Sequence, residues 1–484
     1  MRVNRPCAVV VAGLVVIGMV GCGDTRGGAV AVPATKAALT YGNGPVRDPS
    51  ITYQPDVVFV EGGPDVIRSA TGNGLTWTID AHARGAADIK VGKVMYVTSR
   101  AVGRAVEVRR AGGDVAVTLA PVTLTEVFRD AHFTVDRDID ENALVYQEIP
   151  DLPGAVSVPT DPPGSAAPTA TRTIALRSDA MTRTVALPGH VAGALGGDLP
   201  PAREGNFTVG IAGWEAQPYR NPGVLGLKFG RKANDALKVF VDFSAKVNKL
   251  HVRVDVRIAN GVLDPASTVA LEGIKAIDIS ISAGAANGAD DNRKIRFEVP
   301  IEAAVPIPGT PFVFSTSWKV IVATALGGKN TTVKANGEWS VTGTIGVVQG
   351  KIVTPTFGVV KSILDSITGL SVGVSGVAVA IELKVQLGIG VPVASAGPYI
   401  KLVIDVGVTN GSAFGAPLAR CVGATLDGKV GGGFGTSVSA VAFAAVSKLL
   451  GKLLGTTKFE LEKESLIPFV HKQQTQPDVP LCRG

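Results

Sequence analysis

The chain has 484 residues, of which 46% are hydrophobic and 5% aromatic, and its formal net charge is +6. This length accommodates two or three domains with sizeable cores, and the frequent Val and Ile favour strands. The charge is modest and includes no long basic tract, which excludes the electrostatic footprint of a nucleic-acid-binding protein.

The chain begins with a segment that looks like an export signal. Arg2 and Arg5 form a basic start, residues 7–20 are an uninterrupted apolar run, and small residues precede Cys22. This pattern resembles the signal peptide of bacterial lipoproteins, although Met19 stands where Leu, Val or Ile is commoner. The resemblance covers residues 1–24 only. It implies that residues 1–21 are removed, that Cys22 carries the lipid, and that the protein is anchored outside the cytoplasm, at the cell surface or on the periplasmic face.

Two other interpretations of this segment are ordinary secretion and an uncleaved membrane anchor. At roughly 1.5 Å per residue the apolar run reaches about 21 Å, which is short of the ~30 Å hydrocarbon core. The lipoprotein resemblance instead implies a diacylglycerol and an N-acyl chain on Cys22, and two or more chains give stable attachment to a membrane leaflet.

The remaining cysteines fit an oxidising compartment. Cys7 leaves with the signal peptide and Cys22 takes the lipid, so Cys421 and Cys482 are left to pair as a disulfide. That bond would attach a C-terminal tail, residues 473–484, to the body. A redox or metal role is the alternative, but these two cysteines lack the CxxC spacing of such sites.

The segment after Cys22 is predicted to contain a tether, a small domain and a linker. Residues 22–50 are small, polar and rich in Gly and Pro, as in a flexible tether. Residues 51–149 show short strands separated by turn residues, which predicts a small all-β domain closed by a helical piece at 123–129. Residues 150–205 are a Pro-rich linker by composition.

Residues 206–472 carry the clearest pattern. Apolar and polar residues alternate strictly in 250–258, in 295–299 and, at greatest length, in 377–391, with 401–408 as a return strand. Such alternation predicts an extensive antiparallel sheet with one dry face.

Two helical candidates could cover that face, residues 359–367 and residues 437–450, and the second is apolar nearly all round. The predicted fold is therefore mainly β, a β-rich α+β architecture. A small all-β domain precedes a large curved antiparallel sheet, or a partly closed barrel, packed on one or two apolar helices.

Three functions fit this architecture. The first is a membrane-anchored extracytoplasmic lipoprotein with a non-catalytic structural or adhesion role. The second is a carrier of an apolar, lipid-like ligand in a cavity between the curved sheet and a helix. The third is a membrane-inserting β-barrel, but Trp214, Trp318 and Trp339 are scattered, which favours core or strand-end residues over an aromatic girdle.

The sequence predicts no enzyme, no cofactor and no metal site. The five histidines show no nucleophile or metal spacing, and no GxSxG elbow occurs. Residues 136–141 place carboxylates at alternating positions, as a calcium loop would begin. Glu141 stands where such a loop needs Gly, and Gln147 where it needs Glu, so a solvated domain edge is the better interpretation.

Overall fold

The structure is a computed structural model and describes most of the chain. The described residues are 35–45, 48–148, 156–157, 198–201, 208–211, 213–231, 236–292, 294–299, 301–307, 310–371, 373–392, 394–413, 416–438 and 466–479. Among them, no helix has the length and apolar character needed to cross a membrane.

The first part of the chain holds both α-helices of the described residues and nine strands. The helices are α1 (Lys36–Tyr41) and α2 (Leu124–Val127), and α2 confirms the helical piece predicted at 123–129. The strands are β1 (Thr52–Tyr53), β2 (Val57–Phe59), β3 (Ile67–Ala70), β4 (Thr76–Asp80), β5 (Val94–Thr98), β6 (Ala101–Ala111), β7 (Asp114–Ala120), β8 (Phe128–Asp138) and β9 (Val145–Glu148).

The later strands include several that are unusually long. They are β10 (Val156–Ser157), β11 (Val209–Ile211), β12 (Trp214–Asn221), β13 (Val224–Arg231), β14 (Leu237–Ala259), β15 (Val262–Leu263), β16 (Thr268–Ala285), β17 (Lys294–Glu298), β18 (Ile301–Pro306), β19 (Val313–Ala325), β20 (Thr331–Thr342), β21 (Ile345–Val348), β22 (Lys351–Val353), β23 (Thr356–Lys361), β24 (Val374–Val391), β25 (Ala394–Ala413), β26 (Ala416–Val438) and β27 (Leu466–Gln476).

The described strands form three sheets. A twelve-stranded sheet follows the order β11-β12-β13-β14-β16-β20-β23, with β1, β8, β15, β21 and β22 paired beside this path. A nine-stranded sheet follows β10-β17-β19-β24-β25-β26-β27, with β9 and β18 at its side. A six-stranded sheet has the order β2-β5-β6-β7-β4-β3, and its β2–β5 pair is the parallel one among otherwise antiparallel pairings. The predicted β-rich fold with extensive antiparallel sheets is confirmed.

The two larger sheets pack their apolar faces against each other. Phe243 of the twelve-stranded sheet meets Trp318 of the nine-stranded sheet edge to face, with ring centroids 5.5 Å apart. Phe229 and Phe297 make a second contact between these sheets, with tilted rings whose centroids are 4.7 Å apart. These side chains belong to one continuous hydrophobic core that draws on both sheets. Each sheet therefore provides the cover that the other's dry face requires, as in a β-sandwich.

The prediction of a helix at 359–367 is wrong. Residues 356–361 are strand β23 at the edge of the twelve-stranded sheet, and a short 3-10 turn follows at 364–366. The β-branched pair Val359-Val360 suits an extended edge, and Ser366 closes the turn by donating to the Ile363 carbonyl at 2.7 Å. The second helical candidate, residues 437–450, begins inside strand β26 and otherwise lies outside the described residues.

Strand β24 confirms the long strand predicted at 377–391, but its polar face is buried as well. Lys384 is 7% exposed and Gln386 is 3% exposed. The Lys384 ammonium lies over the Tyr399 ring, 4.3 Å from its centroid, and Ser395 donates to Gln386 at 2.8 Å. The alternating sequence of β24 therefore separates an apolar face from a polar face, and both faces are largely buried.

The small domain, predicted to end at residue 149, has a sheet of its own only as far as β7. The last strand of the six-stranded sheet in the sequence is β7, and this sheet has its own core around Trp77 and Ile79. Strand β8 then pairs with β14, and β9 with β18, so residues 128–148 belong to the larger sheets. At the other end, β27 runs to Gln476, past the boundary predicted at 472.

Candidate functional site

The predicted lipidation and disulfide residues are only partly within the described chain. Cys22 and Cys482 lie outside the described residues. Cys421 is half-buried on β26, and its neighbour Val422 is paired with Gln476, the last residue of β27. The chain thus leaves β27 beside Cys421, six residues before Cys482.

An apolar cavity of about 50 Å³ lies between the two larger sheets. Its walls come from both sheets and are almost entirely hydrocarbon, with Tyr146, Thr316 and Trp318 as the polar-capable side chains. Arg220 donates to the carbonyls of Asn142 and Leu144 at 2.7 and 2.8 Å, which fixes the turn that presents Leu144 and Tyr146 to the cavity. Burial raises the pKa of Tyr146, against the opposing effect of Arg220, so the phenol stays neutral there.

A large bulge in β14 borders this cavity. Val247 pairs with Ile274 and His251 pairs with Glu272, so three residues of β14 stand opposite Gly273 alone. Lys249 has a positive φ of 53° and Gly273 one of 97°. A Cβ at position 273 would lie 2.4 Å from the Lys249 carbonyl oxygen, so only glycine fits. Val247 and Leu250, on either side of the bulge, and Ile274, the partner of Val247, line the cavity.

The sequence contains a signal for this bulge. The buried hydrophobic residues of β14 are odd-numbered up to Val247 and even-numbered from Leu250 onward. Since side chains in a strand alternate with a period of two, this change of phase requires extra residues between Val247 and Leu250. The alternation of residues 250–258 alone, from which the strand was predicted, does not reveal the bulge because it begins after the change of phase.

The cavity is small for a ligand site. A dry cavity of roughly 150 Å³ can hold benzene, and typical ligand pockets begin at roughly 300 Å³. At about 50 Å³, the space between the sheets is a packing defect beside a bulge in the conformation described.

A buried charge cluster lies on the other face of the nine-stranded sheet. Glu382 of β24 lies 3.2 Å from the Lys319 ammonium on β19 and 3.5 Å from the Lys401 ammonium on β25, and its side chain is 14% exposed. Burial acts to raise the pKa of Glu382, but the two lysines outweigh burial and hold it below its usual value. The carboxylate therefore stays ionised and links three adjacent strands.

Asp136 and Asp138, in the segment that resembles the start of a calcium loop, contact a histidine. His251 places Nδ1 2.8 Å from an Asp138 oxygen and Nε2 2.9 Å from an Asp136 oxygen, across the β8–β14 pairing. The spacing of His251 in the sequence gives no hint of this contact, because the partners are more than a hundred residues away. Among the described residues, no group of three or more His, Cys, Asp and Glu has a geometry that could hold a metal ion.

Comparisons with known proteins identify domain families. A model of a domain of unknown function, DUF8403, matches residues 37–130, which cover the six-stranded sheet and the start of β8. A search of curated proteins and a search of solved structures each found no match. A second family model, the domain of unknown function DUF8402, matches residues 196–466, more than half of the 484 residues. The chain therefore belongs to the DUF8402 family.

Proposed function

We propose that this chain is a membrane-anchored extracytoplasmic lipoprotein with a non-catalytic structural or adhesion role. The observation that carries the second half of this proposal is the filled interior. The two larger sheets bury each other's apolar faces, and the cavity described between them has a volume of about 50 Å³. With so little internal space, recognition of any sizeable partner falls to the outer surface.

The proposed address is supported by the N-terminal sequence. Arg2, Arg5, the apolar run and Cys22 form the lipoprotein pattern, and the proposed anchor is the lipid on Cys22. The proposed location is the cell surface or the periplasmic face of a bacterial membrane.

Metabolic labelling with an alkyne analogue of palmitate tests the anchor. The Cys22→Ser variant should lose both the label and its retention in the membrane fraction. Cys7→Ser is the matched control, because it changes a cysteine of the same segment and should keep both. Label on the Cys22→Ser variant, or its loss from the Cys7→Ser variant, would contradict the proposal.

A second candidate function, carriage of an apolar lipid-like molecule, is favoured by the apolar lining of the cavity. It requires the sheets to separate further than they do in the described conformation. Equilibrium dialysis against radiolabelled palmitate separates the two functions. A structural role predicts no saturable binding, whereas saturable uptake that Ala245→Val abolishes by filling the cavity would establish the carrier.

We also infer that Cys421 and Cys482 form a disulfide that holds the C-terminal tail. The pairing of Val422 with Gln476 brings the tail to Cys421, and export would expose both thiols to an oxidising compartment. Peptide mapping without reductant should find residues around 421 and 482 in one linked peptide. Recovery of the two segments as separate peptides would contradict the inference.

A further inference from the structure

Each of the four histidines within the described residues contacts an aspartate. His82 lies in a turn with Asp80, and His471 reaches Asp427 across the β26–β27 pair. The other two, His132 and His251, lie on strands β8 and β14, which pair with each other. These two histidines therefore act at one seam between strands.

The geometry of His251 requires a charged ring. A neutral imidazole carries one N–H, so it can donate to one partner and must accept at its other nitrogen. Carboxylate oxygens of Asp138 and Asp136 lie 2.8 and 2.9 Å from the two ring nitrogens, and both are acceptors when ionised. Only the imidazolium satisfies both contacts at once.

A second histidine repeats this contact further along the same seam. His132 of β8 places Nε2 2.9 Å from the Asp255 carboxylate of β14, and Arg257 donates to the same oxygen at 3.3 Å. Burial acts to raise the pKa of Asp255, but the hydrogen bonds from His132 and Arg257 hold it below its usual value. This carboxylate is therefore ionised, and its contact with His132 gives the seam a second cross-strand hydrogen bond.

The other charges around His251 are few. On its own strand, Arg253 comes next on the same face, and it stands opposite Asp136 in the β8–β14 register. On β16, Glu272 is paired with His251 and accepts a hydrogen bond from Thr344 at 2.8 Å. The neighbouring strands thus present three carboxylates to the imidazole, and Arg253 is the nearby cation on β14.

We propose that the seam between β8 and β14 is a pH-responsive latch, in which protonation of His251 lets its ring donate to Asp136 and Asp138 at once and makes both hydrogen bonds between the strands charge-assisted. Strand β8 follows the six-stranded sheet after the short helix α2, and it carries the chain into the twelve-stranded sheet. Acidic surroundings tighten this attachment, and neutral or alkaline surroundings loosen it.

The direction of the pH effect follows from linkage. Hydrogen bonds to Asp138 and Asp136 raise the pKa of His251 above its ordinary value. A raised pKa in the folded state means that the stabilisation is complete below the unfolded value of about 6.5 and is lost as the pH rises through the folded value.

Hydrogen exchange of the mature chain tests the latch. After correction for intrinsic rates, amides of residues 128–138 should be roughly two- to five-fold better protected at pH 5 than at pH 8, the range expected for exposed ion pairs. His251→Gln should reduce this ratio towards one, whereas His82→Gln, in a turn of the six-stranded sheet, should leave it unchanged. Equal protection at the two pH values, or a His251→Gln variant with the wild-type ratio, would overturn the latch.

An NMR titration of the wild-type protein tests the same proposal without depending on whether a variant folds. The ring signals of His251 should titrate with a midpoint above the ordinary value of about 6.5. A midpoint at or below that value would equally overturn the proposal, because the two carboxylates would then not be stabilising the imidazolium.

Discussion

Arg100 of the six-stranded sheet donates from Nη2 to Glu302 of the nine-stranded sheet at 2.5 Å. The arginine follows β5 at the turn into β6, the glutamate lies on β18, and their side chains are 5% and 14% exposed. Arg100 also donates to Gln147 on β9, the neighbour of β18. A buried ion pair thus fastens the six-stranded sheet to the sandwich.

Removing one partner of this pair should be costly. We expect Glu302→Ala to lower the free energy of unfolding by roughly 3–5 kcal/mol, because the guanidinium loses its counter-charge in a buried place. The double replacement Arg100→Met with Glu302→Leu should recover only part of this loss, because it removes both buried charges but also removes the donor to Gln147. Chemical denaturation measures the free energy of unfolding of both variants. A Glu302→Ala variant as stable as the wild type would show that the ion pair does not stabilise the fold.

Glu382 offers a second test of buried charge, with a matched control in the twelve-stranded sheet. We expect Glu382→Gln to cost roughly 3–5 kcal/mol, since Lys319 and Lys401 are left without their shared carboxylate. Glu338→Gln removes a carboxylate 2.6 Å from Lys246, but that lysine side chain is 45% exposed, so its loss should cost under about 1 kcal/mol. Equal costs at both positions in urea denaturation would contradict this assignment.

The bulge beneath the cavity can be tested with two glycines of the same conformation. Gly273 and Gly343 both have a φ of +97°, but a Cβ at 343 meets nothing within 4 Å, whereas one at 273 meets the Lys249 carbonyl at 2.4 Å. We therefore expect Gly343→Ala to cost about 1–2 kcal/mol from backbone strain and Gly273→Ala clearly more. Thermal unfolding of the two variants gives the comparison, and similar melting temperatures would argue against a tight bulge at Gly273.

Filling the cavity should stabilise the sandwich. Ala245 lines the cavity, so Ala245→Val should raise the free energy of unfolding by roughly 0.5–1 kcal/mol if the added methyl groups enter empty space. The denaturant midpoint should rise with an unchanged slope. A fall in stability would mean that the space is already occupied.

The half-buried Asp405 should make the nine-stranded sheet more stable in mild acid. Burial, helped by Asp427 and opposed by Lys429, raises the pKa of Asp405 to about 6. Because the folded pKa is the higher one, this stabilising contribution is complete below about pH 4 and is lost as the pH rises through about 6. Asp405→Asn should therefore gain on the order of 1–3 kcal/mol relative to the wild type at pH 8 and little at pH 4, as measured by denaturation at both values. An equal difference at the two pH values would contradict the burial of this carboxylate.

Much of the fold could be predicted from the local alternation of apolar and polar residues. The alternation of residues 250–258 and 377–391 predicted strands that the structure contains as parts of β14 and β24, because a period of two is a property of the strand itself. The burial of Trp214, Trp318 and Trp339 was also predicted correctly.

What the sequence did not reveal depends on contacts between distant residues. The cover of the dry face could not be read from residues 359–367, whose apolar spacing suits a helix and an edge strand equally well. Arg100 with Glu302, and His251 with Asp136 and Asp138, are brought together only by the pairing of strands far apart in the chain. For the same reason the cavity was expected between sheet and helix and lies between two sheets.

Native mass spectrometry of the mature protein, purified without a delipidation step, tests the central claim most directly. If the two larger sheets fill each other's interior, the protein should have the mass of the polypeptide from Cys22 onward plus its attached acyl groups, and nothing more. A stoichiometric apolar molecule that dissociates from the folded protein on collisional activation would contradict the filled interior and make this chain a carrier.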